Sequence, residues 1–143
     1  MTRNFRDKAK IEYFKIKAVK CPAFGKEKII FNAKGFNHLF YKGDRSGRNK
    51  REIITRIKLL PIAVKLLKIA TIFQEECDYS GYHKGKKKEF KFWAFEGVLE
   101  DRRIKVIARQ IGQGNKHFWS VIPAWRKSRM GKRLNYKKRL PSA

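Results

Sequence analysis

Two segments far apart in the sequence carry side chains able to move protons and to neutralise phosphate charge. AKGFNH contains Lys34 and His38, and KHFWSV contains Lys116, His117 and Ser120. An imidazole suits proton transfer because its ordinary pKa lies close to neutrality. Lysine and arginine stabilise the negative charge that develops on phosphate oxygens. RNA brings its own nucleophile, the 2′-hydroxyl beside each phosphate, so these residue types point to metal-free cleavage of RNA rather than DNA.

The predicted elements decide which of these groups can meet. Arg109 lies on the predicted strand next to the one that carries His117. His117 and Ser120 are three residues apart, so on a flat strand they face opposite sides, and only a bulge would bring both into one site. The spacing leaves other interpretations open, namely His117 as a turn or surface histidine and His38 as a histidine on a helix surface. His83, beside the run KGKKK, is interpreted as an ordinary loop histidine.

Motifs for other chemistries are missing from the sequence. The three histidines lie in separate segments, and no HExxH, no P-loop and no carboxylate pair at ligand spacing occurs. GQGN, at 112–115, lacks the Lys-Ser/Thr of a phosphate cradle, and the sequence has no GxSxG element of a Ser-His-Asp hydrolase. We therefore expect no metal ion and no other cofactor.

The charge of the chain favours a polyanionic partner. Lysine and arginine number 37 against 12 acidic residues, a net charge of +25 over 143 residues. Such an excess repels itself in the compact state, so solubility alone does not account for it. At 42% hydrophobic and 13% aromatic residues, the chain can fill a core and is not expected to be disordered. Candidate RNA contacts are Arg48, Arg51, Lys86, Lys87, Lys116, Trp125, Arg126 and Lys127.

Hydropathy along the chain predicts a soluble, cytoplasmic protein with no membrane partner. The N-terminal residues are charged every few positions and lack the apolar stretch of a secretion signal. The most apolar stretch, 53–73, contains Pro61 and four basic residues, so it is not expected to span a bilayer.

The first half of the sequence predicts a strand and a short helix. Residues 1–10 are polar and expected to be loose, and imperfect alternation over 11–19 suggests a strand. Phe36, Leu39 and Phe40 share one side of a helical turn or two.

The helix signals that follow are stronger. Asn49 precedes Glu52 at capping-box spacing, and Pro61 then predicts two helices, 49–60 and 61–74. Residues 75–88 are expected to form a loop. Three strands joined by tight turns then follow, at 89–100, 104–111 and 117–123. Trp93, Trp119 and Trp125 are candidates for stacking on unpaired bases, although core packing is favoured for Trp93 and Trp119.

These elements predict an α+β fold, with N-terminal helices packed on a C-terminal antiparallel sheet of about four strands. The chain divides into a basic N-terminal segment with a strand, a core and a basic tail, at 1–27, 28–123 and 124–143.

The order of several motifs resembles the barnase–EndoU–colicin–RelE (BECR) ribonuclease superfamily, most closely its phage- and mobile-element-associated branch. AKGFNHL is followed by a basic loop, RNKREIITRIKLLPIAVKLL, a variable loop and IKVIARQIGQGNKHFWSVIP. The resemblance covers residues 28–123. It is most specific at the histidine after the first strand, at the LLP break and at the GNKHFWSVIP ending.

The resemblance implies a small fold of helices on a four-stranded antiparallel sheet, and RNA cleavage that leaves a 2′,3′-cyclic phosphate. It places Lys34 and His38 in the catalytic cluster, His117 as a second acid or base, Ser120 as the small polar residue of the last strand and Arg109 at a phosphate-clamping position. It also implies a toxin of a toxin–antitoxin or related conflict system, with tRNA among its substrates. An acidic antitoxin or immunity protein is then the expected protein partner.

Two other function classes stay open on the sequence. A non-catalytic RNA-binding or ribosome-associated protein would share the size and charge, and would bind RNA in a salt-sensitive way without cutting it. A DNA-binding helix-turn-helix over 49–74 is disfavoured, because no glycine turn accompanies Pro61 and the second helix is apolar. Convergence of Lys34 and His38 with a C-terminal candidate in one cleft would favour the ribonuclease.

Overall fold

Residues 3–124, the part of the chain that the computed structural model describes, form helices and a long meander of strands. The helices are α1 (Arg3–Ile16), α2 (Ala33–Phe40) and α3 (Lys50–Ile69), with a short 3-10 turn at Pro22–Phe24. The strands are β1 (Ala18–Lys20), β2 (Lys28–Ile30), β3 (Glu75–His83), β4 (Lys86–Leu99), β5 (Arg102–Ile111) and β6 (His117–Pro123). The helices pack against one sheet of order β1-β2-β6-β5-β4-β3, which confirms the predicted α+β class.

The three strands predicted at 89–100, 104–111 and 117–123 form an antiparallel sheet together with β3, and the N-terminal strands enlarge it. Strands β3 to β6 pair consecutively in antiparallel fashion. Strand β2 joins β6 in parallel through Ile30 and His117, and β1 pairs antiparallel with β2. The complete sheet therefore has six strands and mixed direction.

The strand predicted over 11–19 is wrong for most of its length. Helix α1 runs from residue 3 to residue 16, so residues 3–10, expected to be loose, are helical as well. Ala9 and Tyr13, one turn apart, are buried in the same core as Val19 of β1. The Tyr13 hydroxyl donates a hydrogen bond to the Asn32 carbonyl oxygen at 2.8 Å. Tertiary burial of one helical face thus overrides the weak alternation of the sequence.

One continuous helix replaces the two predicted around Pro61. The helix start at Asn49 is confirmed, since Asn49 Oδ1 accepts a hydrogen bond from the Glu52 amide at 2.8 Å. Pro61 lies inside α3 on an exposed side. Side chains before and after it are buried in the core and hold the helix in place: Leu59, Leu60, Ile62, Ala63, Leu66 and Leu67. Within the described residues, no helix has the length and apolar character needed to cross a membrane.

The loop predicted over 75–88 is wrong as well. Strand β3 pairs with β4 along its whole length, from Glu75–Ala94 to His83–Lys86. Lys84 and Gly85 have φ angles of 52° and 79°, the positive values that a two-residue type I′ hairpin turn requires. The sequence of β3 shows no hydrophobic pattern typical of a strand, because β3 is an edge strand whose side chains are mostly exposed and polar.

Gly35 lets helix α2 lie directly on strand β6. A Cβ atom at this position would collide with the Phe118 carbonyl oxygen and the Tyr13 hydroxyl. Phe36, Leu39 and Phe40 are buried, as their spacing predicts. The close approach of the helix sets the position of His38, which follows one turn later.

Candidate functional site

Trp119 lies at the centre of a cluster that joins helix α2 to the sheet. The His38 ring stacks on its indole, with ring centroids 3.9 Å apart and planes 15° apart. Arg109 Cζ lies 3.4 Å from the centroid of the same indole. The two groups are too large to share one face at these distances, so Trp119 is sandwiched between them. The His117 ring approaches the indole edge-on, at 6.1 Å and 83°.

A bulge in β6 produces this arrangement. Arg109 pairs with His117 and Ala108 with Phe118, but Ile107 then pairs with Ser120. Trp119 is therefore the extra residue of the bulge. Because paired residues share a face, His117 and Ser120 lie on the same side of the sheet. The bulge that the spacing of His117 and Ser120 required is present.

His38 is held by Arg48, which lies ten residues further along the chain. Arg48 Nε donates to the His38 carbonyl oxygen at 2.8 Å, and Arg48 Nη2 lies 3.0 Å from His38 Nε2. A guanidinium only donates, so Nε2 accepts and the imidazole is neutral. Burial, followed by the positive charges of Arg48, Arg56 and Arg109, lowers the pKa of His38 to about 3.

His117 is held in the same way by Arg109. Arg109 Nε donates to His117 Nε2 at 3.0 Å, and the His117 side chain is only 3% exposed. Burial and the charge of Arg109 lower the pKa of His117 to about 4, against an opposing hydrogen bond to the Asn115 backbone. Burial also lowers the pKa of Arg109 to about 10, so it keeps its charge at neutral pH. Both imidazoles are thus neutral at neutral pH when no ligand is bound.

Two cationic clefts meet at Lys34. One, of about 480 Å³, is lined by Lys34, His38 and Trp119, with Lys42 and Arg45 among the other residues of its wall. The other, of about 330 Å³, is lined by Lys34, His83, Lys88 and His117, among others. No acidic side chain of the described residues lines either cleft. Lys34 lines both clefts, but the two histidines open into separate, adjoining clefts. Arg109 and Ser120 line neither, so among the described residues no single cleft holds Lys34 and His38 together with a C-terminal candidate.

Ser120 is buried and is not exposed in either of the two clefts. Its side chain is 4% exposed, and its hydroxyl accepts a hydrogen bond from the Arg56 guanidinium of helix α3. Arg56 also lies 3.4 Å from the Val121 carbonyl oxygen. Ser120 lines neither cleft, so its contact with Arg56 ties α3 to the bulged strand.

The candidate RNA contacts fall into different places. Arg48 belongs to the cluster itself, whereas Arg51, Lys86 and Lys87 are exposed at the start of α3 and of β4. Lys116 Nζ lies 2.6 Å from a Glu27 carboxylate oxygen, and its side chain is 11% exposed. The ammonium also lies over the rings of Phe24 and Trp93, so Lys116 does not reach the clefts. Trp125, Arg126 and Lys127 lie outside the described residues.

Three residues of the cluster and its clefts, namely Trp119, His83 and Arg56, are not among the site residues predicted from the sequence. Trp93 is in the core as expected, but Trp119 is half-buried in the cluster. His83, interpreted as an ordinary loop histidine, lines a cleft with His117. Arg56 carried no signal, because its contact with Ser120 joins residues 64 positions apart.

Among residues 3–124, no group of three or more His, Cys, Asp and Glu side chains could hold a metal ion. No family model matches the chain, and neither the curated proteins nor the solved structures provide a match. The resemblance to BECR ribonucleases thus stays a prediction from the sequence motifs.

Proposed function

We propose that this protein is a metal-independent endoribonuclease that cleaves RNA by attack of a 2′-hydroxyl on the adjacent phosphate. The observation that carries the proposal is the meeting of His38 and His117 on one indole, beside Arg109 and Lys34, with each histidine opening into a cleft that no described carboxylate lines. Proton-transfer groups and phosphate-binding cations from both halves of the chain therefore lie around one tryptophan and two adjoining clefts.

The reaction begins when a phosphodiester binds at Lys34 and Arg109. Its negative charge competes with the imidazoles for the guanidinium donors, so the histidine Nε2 lone pairs become available. The same charge offsets the field of Arg48 and Arg109 and raises both histidine pKa values from about 3 and about 4. One imidazole is then present as a base, and the other gains a proton from solvent and acts as the acid.

Cleavage then proceeds without any other reactant. The neutral imidazole takes the proton from the 2′-hydroxyl, whose oxygen forms a bond to phosphorus. The bond from phosphorus to the 5′-oxygen breaks, and the imidazolium gives its proton to that oxygen. The products are a 2′,3′-cyclic phosphate and a 5′-hydroxyl, and Lys34 and Arg109 stabilise the charge on the non-bridging oxygens.

The cellular setting is part of the same proposal. With a charge of +25 and the motif resemblance to BECR ribonucleases, the protein fits a cytoplasmic toxin that cuts RNA, with tRNA among its substrates. An acidic antitoxin would cover the cationic clefts and gain association rate from charge complementarity.

The experiment that tests the proposal is incubation of the purified protein with total RNA and with tRNA in EDTA. Cleavage is expected to continue, to leave cyclic phosphate ends and to fail on a strand with 2′-deoxy sugars. Lys34→Ala should lower the rate strongly. Lys20→Ala removes the same charge from an exposed lysine on β1 and serves as the matched control. Intact RNA, or equal rates for His38→Ala and the unmodified protein, would contradict the proposal.

A second function, RNA binding without catalysis, is favoured by one specific observation. Both Nε2 atoms are already hydrogen-bonded to arginine, and both histidine pKa values lie well below neutrality. Such a protein would bind RNA with a steep dependence on salt and yield no products. The same incubation separates the two functions, since binding in a mobility-shift assay without new RNA ends would support the second.

A further inference from the structure

We infer that the sheet face beside Trp119 is a stacking site for an unpaired base of single-stranded RNA. The inference rests on the proposed function, because the base would belong to the strand whose phosphate binds at Lys34 and Arg109. It adds a substrate class, single-stranded RNA, which the phosphate-binding cations alone do not select.

Three aromatic rings form a nearly parallel row on this face. Tyr79 of β3 stacks on Phe90 and Phe92 of β4, with centroids 5.1 and 5.8 Å apart and planes within 10°. Trp93 and Phe95 alternate with these phenylalanines along β4 and are buried in the core with the helices. The row therefore lies on the opposite face of the sheet. Tyr79 is 50% exposed, which leaves part of its ring open to a ligand.

The row continues into the cluster around Trp119. Arg109 Cζ lies 5.8 Å from the Phe90 centroid and 3.4 Å from the Trp119 centroid. A cleft of about 430 Å³ is lined by Tyr79, Phe92 and Trp119, among others. A cleft of this size falls within the range of ~300–1,000 Å³ in which small ligands bind. One wall thus offers aromatic surface, and the adjoining cluster offers the cations for the phosphate.

The polar end of this cleft can meet the edge of a base. Lys105 Nζ lies 2.5 Å from a Glu75 carboxylate oxygen, and both residues line the cleft. The pair supplies a donor and an acceptor side by side, which is what a base edge presents in return. Bases in a duplex are already paired and stacked, so only a splayed, unpaired base can enter.

Tyr79→Ala tests the inference, and Tyr82→Ala is its matched control. Tyr82 lies on the same strand, is 76% exposed and does not line the cleft. The ligands are a fully 2′-O-methylated RNA strand, which has no nucleophile and cannot be cleaved, its duplex and an abasic strand with the same phosphates. Loss of one stacked base costs about tenfold in affinity. We expect Tyr79→Ala to lose about that factor for the single strand only, Tyr79→Phe to retain affinity and Tyr82→Ala to bind like the unmodified protein.

The outcomes separate this inference from the proposed function. Equal affinity of Tyr79→Ala and the unmodified protein for the single strand would overturn the inference, even if RNA is cleaved. An equal loss for the single strand, the duplex and the abasic strand would also overturn it, because it would show a general defect. A loss confined to the base-bearing single strand supports stacking, even if no RNA is cleaved and the proposed function fails. Thermal unfolding of each variant verifies that it is folded.

Discussion

The His38–Arg48 and His117–Arg109 pairs make the same contact but are held by different parts of the fold. Each has a guanidinium nitrogen 3.0 Å from Nε2. The first pair is local and spans the loop between α2 and α3. The second is fixed by the register of two antiparallel strands, in which Arg109 and His117 are direct partners. A loop can rearrange at lower cost than a strand register, so we expect the His38 side to adapt to substrate and the His117 side to stay in place.

The largest expected effect comes from Arg109, which contacts both His117 and Trp119. Arg109→Ala should lower the single-turnover cleavage rate about 10³-fold, in the range found when a donor to a developing anion is removed. Arg48→Ala removes the arginine partner of His38 and the ion pair of Arg48 with Glu52, leaves the His117–Arg109 pair intact, and should cost about tenfold less. Equal losses would contradict the unequal roles of the two pairs. Arg109→Lys tests the planar guanidinium, because lysine keeps the charge but does not stack in the same way.

Gly35→Ala should displace helix α2 and His38 without disturbing the His117–Arg109 pair. The added methyl group collides with Phe118 and Tyr13, so α2 must move away from β6. Overpacking of this kind destabilises a protein by about 1–3 kcal/mol, and the shift should lower cleavage by about 10²-fold, since proton transfer by a positioned group contributes 10²–10⁴. Denaturant unfolding and cleavage assays measure the two effects. The imidazole NMR signals of His117 should not move, and a large shift there would show that the two sides are not independent.

Acidic pH should destabilise the protein through its histidines. The folded-state pKa of His117 is about 4, below its ordinary value of 6.5, so the unfolded chain takes up the proton first as pH falls. The free energy of unfolding that depends on His117 is therefore constant well above pH 6.5 and decreases as pH falls from 6.5 towards 4. At pH 5 the loss from one such histidine is about 2 kcal/mol.

Urea unfolding between pH 7.5 and 5 measures this loss. His117→Asn should have a shallower dependence on pH than the unmodified protein. The His38 pKa of about 3 predicts a similar slope that extends to lower pH. A flat stability profile between pH 7.5 and 5 would be incompatible with buried, neutral imidazoles.

Lys116 should give the smallest effect, although it immediately precedes His117. Its ammonium pairs with Glu27, which is largely exposed, and such pairs contribute about 0.2–1 kcal/mol. Lys116→Ala also removes the contacts of the ammonium with the rings of Phe24 and Trp93, so it should lower the unfolding free energy by about 1–2 kcal/mol and leave cleavage and RNA affinity nearly unchanged. Lys34→Ala, in contrast, should lower cleavage and RNA affinity strongly. A strong loss of RNA binding in Lys116→Ala would place that lysine in the site after all.

The local signals of the sequence were sufficient for several elements. The Phe36–Leu39–Phe40 spacing predicts the buried side of α2, Asn49 and Glu52 predict the start of α3, and GQGN predicts the β5–β6 hairpin. Each depends on neighbours within a few residues, for which propensity and capping energies are decisive. The sequence motifs also singled out His38, His117 and Arg109, because those residue types are uncommon in the chain or follow a recognisable pattern.

Only tertiary structure decided the rest. The α3 helix continues through Pro61 because buried residues on both sides outweigh one missing hydrogen bond. The polar strand β3 forms because β4 offers it a partner, and the bulge at Trp119 arises from the pairing of β5 with β6. These outcomes depend on free energies shared between distant segments, which no window of the sequence contains. The same holds for the burial and the neighbouring arginines that keep both imidazoles neutral, so the sequence determined the candidate groups and the fold determined their protonation.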